Sequence, residues 1–239
     1  MRGVELVIIA VDGPAGAGKS TVCKILADKL GFVYLDTGAM YRALALALNA
    51  GFAEQGQKHP DEDEVRGLLE RIPLLFSIKE NRLEISYGER LLSEELRSPE
   101  MSDAASRISQ LHAVREFLVA CQRKLAEQGN IVAEGRDTAT VVFPNADLKV
   151  FLTADLNARA KRRFAEYIDK GINLSLDEMQ RSIGERDDAD ANRDHSPMRP
   201  AEGAILLDTS HLSVQQVVDR LSEKVQSLID IRSSIDGQL

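Results

Sequence analysis

At 239 residues, with 44% hydrophobic and 28% charged side chains, the chain can bury a large core and has an ordinary globular composition. Its formal net charge of -8 argues against a nucleic-acid or polyanion surface, though local arginine clusters can still hold a small anion. Two distant cysteines, Cys23 and Cys121, and four histidines without ligand spacing suggest neither a disulfide scaffold nor a zinc site.

Leu6–Val11 (LVIIAV) is a continuous β-branched run that predicts a strand buried on both faces of a parallel sheet. It carries no basic lead or cleavage site of a secretion signal, and no run approaches the roughly 20 apolar residues of a membrane span. A cytoplasmic protein without a membrane or nucleic-acid partner is therefore expected. DGPAGAGKST follows, then a helix from about Lys19 to Leu30 that Gly31 closes. FVYLD predicts a second strand. Leu44–Asn49 alternates like a strand, but Ala and Leu favour helix, so a helix is expected from about Gly38 to Asn49.

GFAEQGQKHP (51–60) predicts a loop, and Asp61–Arg71 a short helix capped by Asp61, with Glu64 in the capping-box position. LLFSIKENRLEISYGERLL alternates in three pieces broken at Glu80-Asn81 and Gly88, the pattern of a small antiparallel meander inserted into a parallel sheet. Helices return from Pro99 to about Glu127. Ile131–Ala133 and Leu148–Leu152 predict strands, each leading to charged residues. Asp155–Lys170 and Ser175–Asp190 predict helices, the second opened by a Ser175/Glu178 capping box. Ala204–Asp208 is the fifth core strand. The last helix runs from Ser213, boxed by Gln216, to about Ile229, and the polar residues from Arg232 to Leu239 are expected to fray.

Five buried strands alternating with helices predict an α/β fold with a five-stranded parallel sheet, whose ligands bind at the carboxyl ends of the strands. Charged residues fall there: Asp12–Ser20 after the first strand, Asp36–Arg42 after the second, Glu134–Asp137 after the third and Thr153 onward after the fourth.

The residues Gly13, Pro14, Ala15, Gly16, Ala17, Gly18, Lys19 and Ser20 satisfy G-x-x-x-x-G-K-[ST] between a strand and a helix. The glycines let backbone N–H groups converge on phosphate oxygens, and the helix N-terminus adds its dipole. With Thr21 they form an ATP site in which Lys19 reaches the β- and γ-phosphates and Ser20 ligates Mg²⁺ directly. A GTPase switch would need N-K-x-D, which is absent, and D-x-x-G occurs only at Asp28–Gly31, inside the end of a helix. No long interaction domain remains for a motor. A small-molecule kinase is the reading left.

A kinase acting on an alcohol needs a carboxylate to take the proton, whereas a phosphate acceptor needs cations to approach ATP. This chain supplies Arg42, Arg115, Arg136, Arg186 and Arg193, several beside carboxylates, and RAKRRF places Arg159, Arg162 and Arg163 on one helical face. In GERDDADANRD, Asp188, Asp190 and Asn192 match positions 1, 3 and 5 of a calcium loop, but Arg193 and Arg199 stand where Gly and Glu are required. Calcium is excluded. If Ser175 onward is one helix, Arg186, Asp190 and Arg193 share a face, and Asp187, Asp188 and Asp194 point to solvent.

DGPAGAGKST, YLDTGAMYRALAL, DAAS, VRE, EGRDTATVVFP, RAKRRF, ERDDADANR and ILLDTSHLS together resemble, in order, the bacterial cytidylate (CMP) kinases, over about Val7 to Val225. The resemblance implies a P-loop kinase core, a monophosphate-binding insert (about 60–105) and a helical lid (about 155–173) in a single domain. It implies transfer of the ATP γ-phosphoryl to CMP or dCMP by a monomer. By resemblance, Ser106, Arg115 and Asp137 contact cytosine, whose N4 donates while N3 and O2 accept. Thr37, Tyr41, Arg42 and Arg136 line the monophosphate site, and Arg186, Asp190 and Arg193 face the acceptor's sugar and phosphate. Lys19, Arg136, Arg159, Arg162 and Arg163 act on the transferring phosphoryl. Asp36 or Glu134 either orients Mg²⁺ through water or holds an arginine. The alternatives are another base preference, such as UMP, or a nucleotide-binding regulator.

Overall fold

The structure is a computed structural model and describes residues 6–55, 62–169, 171–172 and 174–236. The first strand, β1 (Ile8–Asp12), lies in the middle of the sheet, with Ile9, Ala10 and Val11 fully buried, as its unbroken apolar run requires. Helix α1 (Lys19–Leu30) follows the P-loop, and Gly31 closes it in the left-handed conformation at φ 68°. Strand β2 (Val33–Asp36) leads directly into α2 (Thr37–Gln55).

Helix α2 is longer than its sequence predicts. Residues 51–55, expected in a loop, continue the helix through Gly51, a residue that more often closes one; the rest of that loop lies outside the described residues. The short helix α3 (Glu62–Leu69) is present, and its expected cap, Asp61, also lies outside them.

The meander forms as read, from β3 (Leu74–Lys79), β4 (Arg82–Tyr87) and β5 (Arg90–Leu92), all antiparallel. Glu80 and Asn81 make the first turn at φ 50° and 59°. The meander is inserted into the main sheet as expected, but its partner there was not legible: β4 pairs in parallel with β2 at Tyr34 and Arg82. Helices α4 (Pro99–Ile108) and α5 (His112–Ala126) divide the expected helical stretch at residues 109–111. Strand β6 (Ile131–Glu134) is buried at all four residues and is followed, after residues 135–137, by a π-turn at Thr138–Val142.

Next come β7 (Leu148–Thr153), α6 (Leu156–Asp169), α7 (Leu176–Ala191) with the expected Ser175/Glu178 capping box, β8 (Ile205–Asp208) and α8 (Val214–Asp236). Ser213 and Gln216 box the last helix as expected. That helix continues past Ile229 to Asp236, where fraying was expected, and Arg232 pairs there with Asp147, which also accepts from the Ile8 amide at 2.7 Å.

The strands run β3-β4-β2-β6-β1-β7-β8, and the five from β2 to β8 are parallel. One core packs α2, α3 and α5 against one side of this sheet, and a second packs α1 and α8. Helices α6 and α7 form a hairpin with a small core of their own around Ala160, Met179 and Ile183. Among the described residues no helix is long and apolar enough to cross a membrane.

Candidate active site

At the carboxyl ends of β1, β2 and β6 a cleft of about 390 Å³ opens, walled by the P-loop, the start of α2, α4, the turn after β6 and the α6–α7 hairpin. The P-loop is shaped by what it packs on. A Cβ at Gly13 would stand 1.9 Å from the Leu152 carbonyl oxygen, and one at Gly16, φ 75°, within 3.0 Å of Arg159. Gly18 precedes α1 without a side-chain cap, so the first amides of that helix remain free for an anion. Ala15 to Thr21 lie on the cleft wall, while Gly13 and Pro14 lie behind it.

The Lys19 Nζ donates to the Pro14 carbonyl at 2.7 Å. Burial, reinforced by Arg136, lowers its pKa to about 7. Next to it, Ser20 Oγ donates to Glu134 Oε2 at 3.0 Å, and Tyr34 donates its hydroxyl to Oε1. Burial, with Asp36 adding to it, raises the Glu134 carboxyl above the usual range. Asp36 accepts from Arg42 Nη2 at 3.0 Å and from the Ala39 amide at 2.8 Å. The two carboxylates offered as alternatives for the metal thus have different partners. Glu134 meets the P-loop serine, and Asp36 holds an arginine.

Arg115 and Asp137 form a buried ion pair, and Arg115 lies 5.8 Å from the centroid of the Tyr41 ring. Arg115 Nε and Nη1 are buried without a hydrogen-bond partner, as are Nε of Arg42, Arg186 and Arg193. Buried donors of this kind call for an acceptor. Asp137 is placed from below: Asp12, buried and pushed up by that burial, accepts from the Thr138 amide, the Thr138 hydroxyl and the Ala139 amide, and so fixes the π-turn that follows Asp137.

Arg136 donates to Asp190 Oδ2 at 2.8 Å, and Arg193 lies 3.9 Å from the same carboxylate. Burial works to raise Asp190, but Arg136, Arg186 and Arg193 outweigh it and hold the carboxyl below its usual range. Burial, with Arg136 adding, lowers Arg186 to about 10. Helix α7 ends at Ala191, so Arg193 stands beyond the helix, held by the Ser196 carbonyl at 2.8 Å; it still shares the cleft with Arg186 and Asp190. Thr37, Tyr41, Arg42 and Ser106 also lie on the wall, with the Thr37 hydroxyl donating to the Glu134 carbonyl at 2.6 Å.

Two expectations need correction. Arg159 is 8% exposed and off the wall, bonded to the Ala154 carbonyl at 3.0 Å, the Ala15 carbonyl at 3.1 Å and Asp187. It braces the P-loop against α7. Asp187 therefore does not face solvent, because α6 packs over that side of α7; Asp188 and Asp194 are exposed as expected. Arg162 and Arg163 do reach the cleft, the first holding Thr209 by its hydroxyl at 3.0 Å and the second 5.4 Å from the Tyr167 ring centroid.

Thr209, Leu212, Val214 and Val217 also line the cleft. In the sequence Thr209 and Leu212 fall within ILLDTSHLS and Tyr34 opens YLDTGAMYRALAL, but neither stretch gives these residues a role, and Val214 and Val217 are marked only by their place after the fifth strand.

The family model described as Cytidylate kinase matches residues 9–227. A cytidylate kinase of Carboxydothermus hydrogenoformans is 44% identical over 223 residues, covering 93% of this chain and 99% of that protein. One of Thermotoga maritima is 42% identical over 219 residues, 91% of this chain and 96% of that protein. Among solved structures, an uncharacterized protein from Eubacterium ventriosum covers 92% of this chain and 99% of its own with a TM-score of 0.51 at 13% identity, a likeness of fold alone.

Proposed function

The chain belongs to the cytidylate kinase family, and from that membership we propose that it transfers the γ-phosphoryl group of ATP to CMP or dCMP, giving the diphosphate and ADP. Neither a different base preference nor a non-enzymatic regulator is favoured by these relatives. The observation that carries the reading is one cleft that holds both the P-loop lysine and the buried Arg115–Asp137 pair. Two anionic phosphates must meet there, and the cationic side chains on its wall outnumber the carboxylates.

In this reading Lys19 and the free amides of α1 hold the donor phosphates. Arg42, Arg136 and Arg186 bind the acceptor phosphate. Asp137 accepts from the cytosine amino group, and the unpartnered nitrogens of Arg115 donate to N3 and O2. Uracil presents a carbonyl in place of the amino group and leaves the carboxylate unsatisfied. Asp190 and Arg193 face the sugar, and Arg162 and Arg163, on the α6–α7 hairpin, meet the transferring phosphoryl. The stretch of about 60–105 serves as the monophosphate-binding insert and that of about 155–173, which includes α6, as the lid.

Among the described residues no three acidic, histidine or cysteine side chains form a metal cage. Mg²⁺ accompanying ATP needs none, since phosphates and waters fill most of its shell. The Ser20–Glu134 contact supplies one hydroxyl and one carboxylate beside Lys19, which suits that ion. When bound, it would neutralise charge on the β- and γ-phosphates. A coupled ADP-release assay across CMP, dCMP, UMP and AMP tests the reading. CMP and dCMP should be turned over efficiently and UMP and AMP poorly, and equal use of UMP would overturn it.

A further inference from the structure

Glu134 is 4% exposed, so a charged carboxylate there needs a donor on each oxygen. Ser20 supplies one and Tyr34 the other. Tyr34 is not on the cleft wall, and its ring packs into the core shared with α1. In the sheet register Tyr34 lies beside Val132 and Asp36 beside Glu134, so the phenol reaches two residues forward along the strands to meet this carboxylate. A phenylalanine would fill the same core volume but could not donate. Left to charge alone, the carboxylate would be drawn toward Lys19 and driven from Asp36, and neither sets its angle to Ser20. A directional bond from a rigid ring does set it.

We propose that Tyr34 is a positioning residue for the donor half of the site, fixing the Glu134 carboxylate so that one oxygen faces Ser20 and the Mg²⁺ that accompanies ATP. The proposal rests on the reading of Ser20 and Glu134 as the metal corner. Tyr34 acts through Glu134 and touches no substrate. Its effect should therefore appear in how much the metal strengthens ATP binding, and leave the acceptor half alone.

Calorimetric titration of the full chain with ATP, once with Mg²⁺ and once with EDTA, measures that strengthening. Tyr34→Phe should lose about tenfold or more of it, from the low end of the range for one hydrogen bond to a charged group. Affinities for ATP in EDTA and for CMP should stay as in the wild type, while the thermal midpoint without nucleotide should fall, since one oxygen of the buried carboxylate loses its donor. In a Glu134→Gln background, Tyr34→Phe should add no further loss. Full strengthening kept by Tyr34→Phe overturns the proposal, as does a loss that adds in full to that of Glu134→Gln. Equal weakening of ATP in EDTA and of CMP also overturns it, since that marks a packing defect. A wild type that gains nothing from Mg²⁺ would show the metal corner to be misread, and the proposal would fall with it.

Discussion

ATP binding should draw a proton into the site. Burial, with Arg136 beside it, lowers Lys19 from 10.5 to about 7, so at alkaline pH the free protein holds this lysine mostly neutral. Donor phosphates supply the missing opposite charge and return it toward its ordinary value. At about pH 8.5 the free lysine would be only ~3% charged, and binding should take up roughly 0.9 proton; at about pH 6 it is already charged and uptake falls to ~0.1. Titrations in buffers of different ionisation enthalpy count these protons from the slope of apparent heat against buffer heat. Lys19→Met should abolish uptake at the higher pH and most ATP affinity with it. The same group has a stability signature. Between pH 7 and 10.5 the unfolded chain holds the extra proton, so the contribution of Lys19 to stability rises with pH across that window, and Lys19→Met should remove the rise. No uptake at about pH 8.5, or equal uptake in Lys19→Met, would refute the reasoning.

Asp137→Asn should weaken CMP use and raise relative UMP activity, because an acceptor for the cytosine amino group becomes a mixed donor and acceptor. An equal fall for both would mean that Asp137 serves only to hold Arg115. Asp190→Ala should lower kcat/KM for CMP by about 10- to 150-fold, the range of a charged hydrogen bond, and for dCMP distinctly less. Equal small losses with a lowered Tm would reduce Asp190 to a support for Arg136. Arg159→Lys keeps the charge but cannot hold Ala15, Ala154 and Asp187 together, so KM for ATP should rise and Tm fall while KM for CMP stays. A fall in kcat alone would place Arg159 on the transferring phosphoryl after all.

What local geometry dictates was legible in the sequence. The P-loop could be read because its glycines answer to backbone demands that few other residues meet, as Gly13 against Leu152 makes plain. The meander could be read because its alternation has period two and Gly88 sits at φ 58°. Long-range contacts were hidden. Arg232 extends α8 by pairing with Asp147, 85 residues earlier, and no window of sequence contains both. The pairing of β4 with β2 is hidden for the same reason, and the end of α2 because the helix passes Gly51, where local sequence reads a stop.

Within GERDDADANRD the helical spacing correctly separated Asp187 from the face shared by Arg186 and Asp190. Periodicity says which residues share a face but not what meets the others, and α6 meets this one. Arginine–carboxylate pairing in the cleft has a similar limit. Arg115 with Asp137, and Arg136 with Asp190, each join two residues that the sequence assigned separately to ligand, and in the free protein they satisfy one another. Buried charges of that kind need partners before any substrate arrives. The pairs keep the wall ordered, and the nitrogens left over on Arg115, Arg42, Arg186 and Arg193 are donors that only a ligand or water can meet. Much of the orientation of the proposed acceptor site is thus set by the fold before any ligand binds, the kind of arrangement by which a rigid polar site selects between bases.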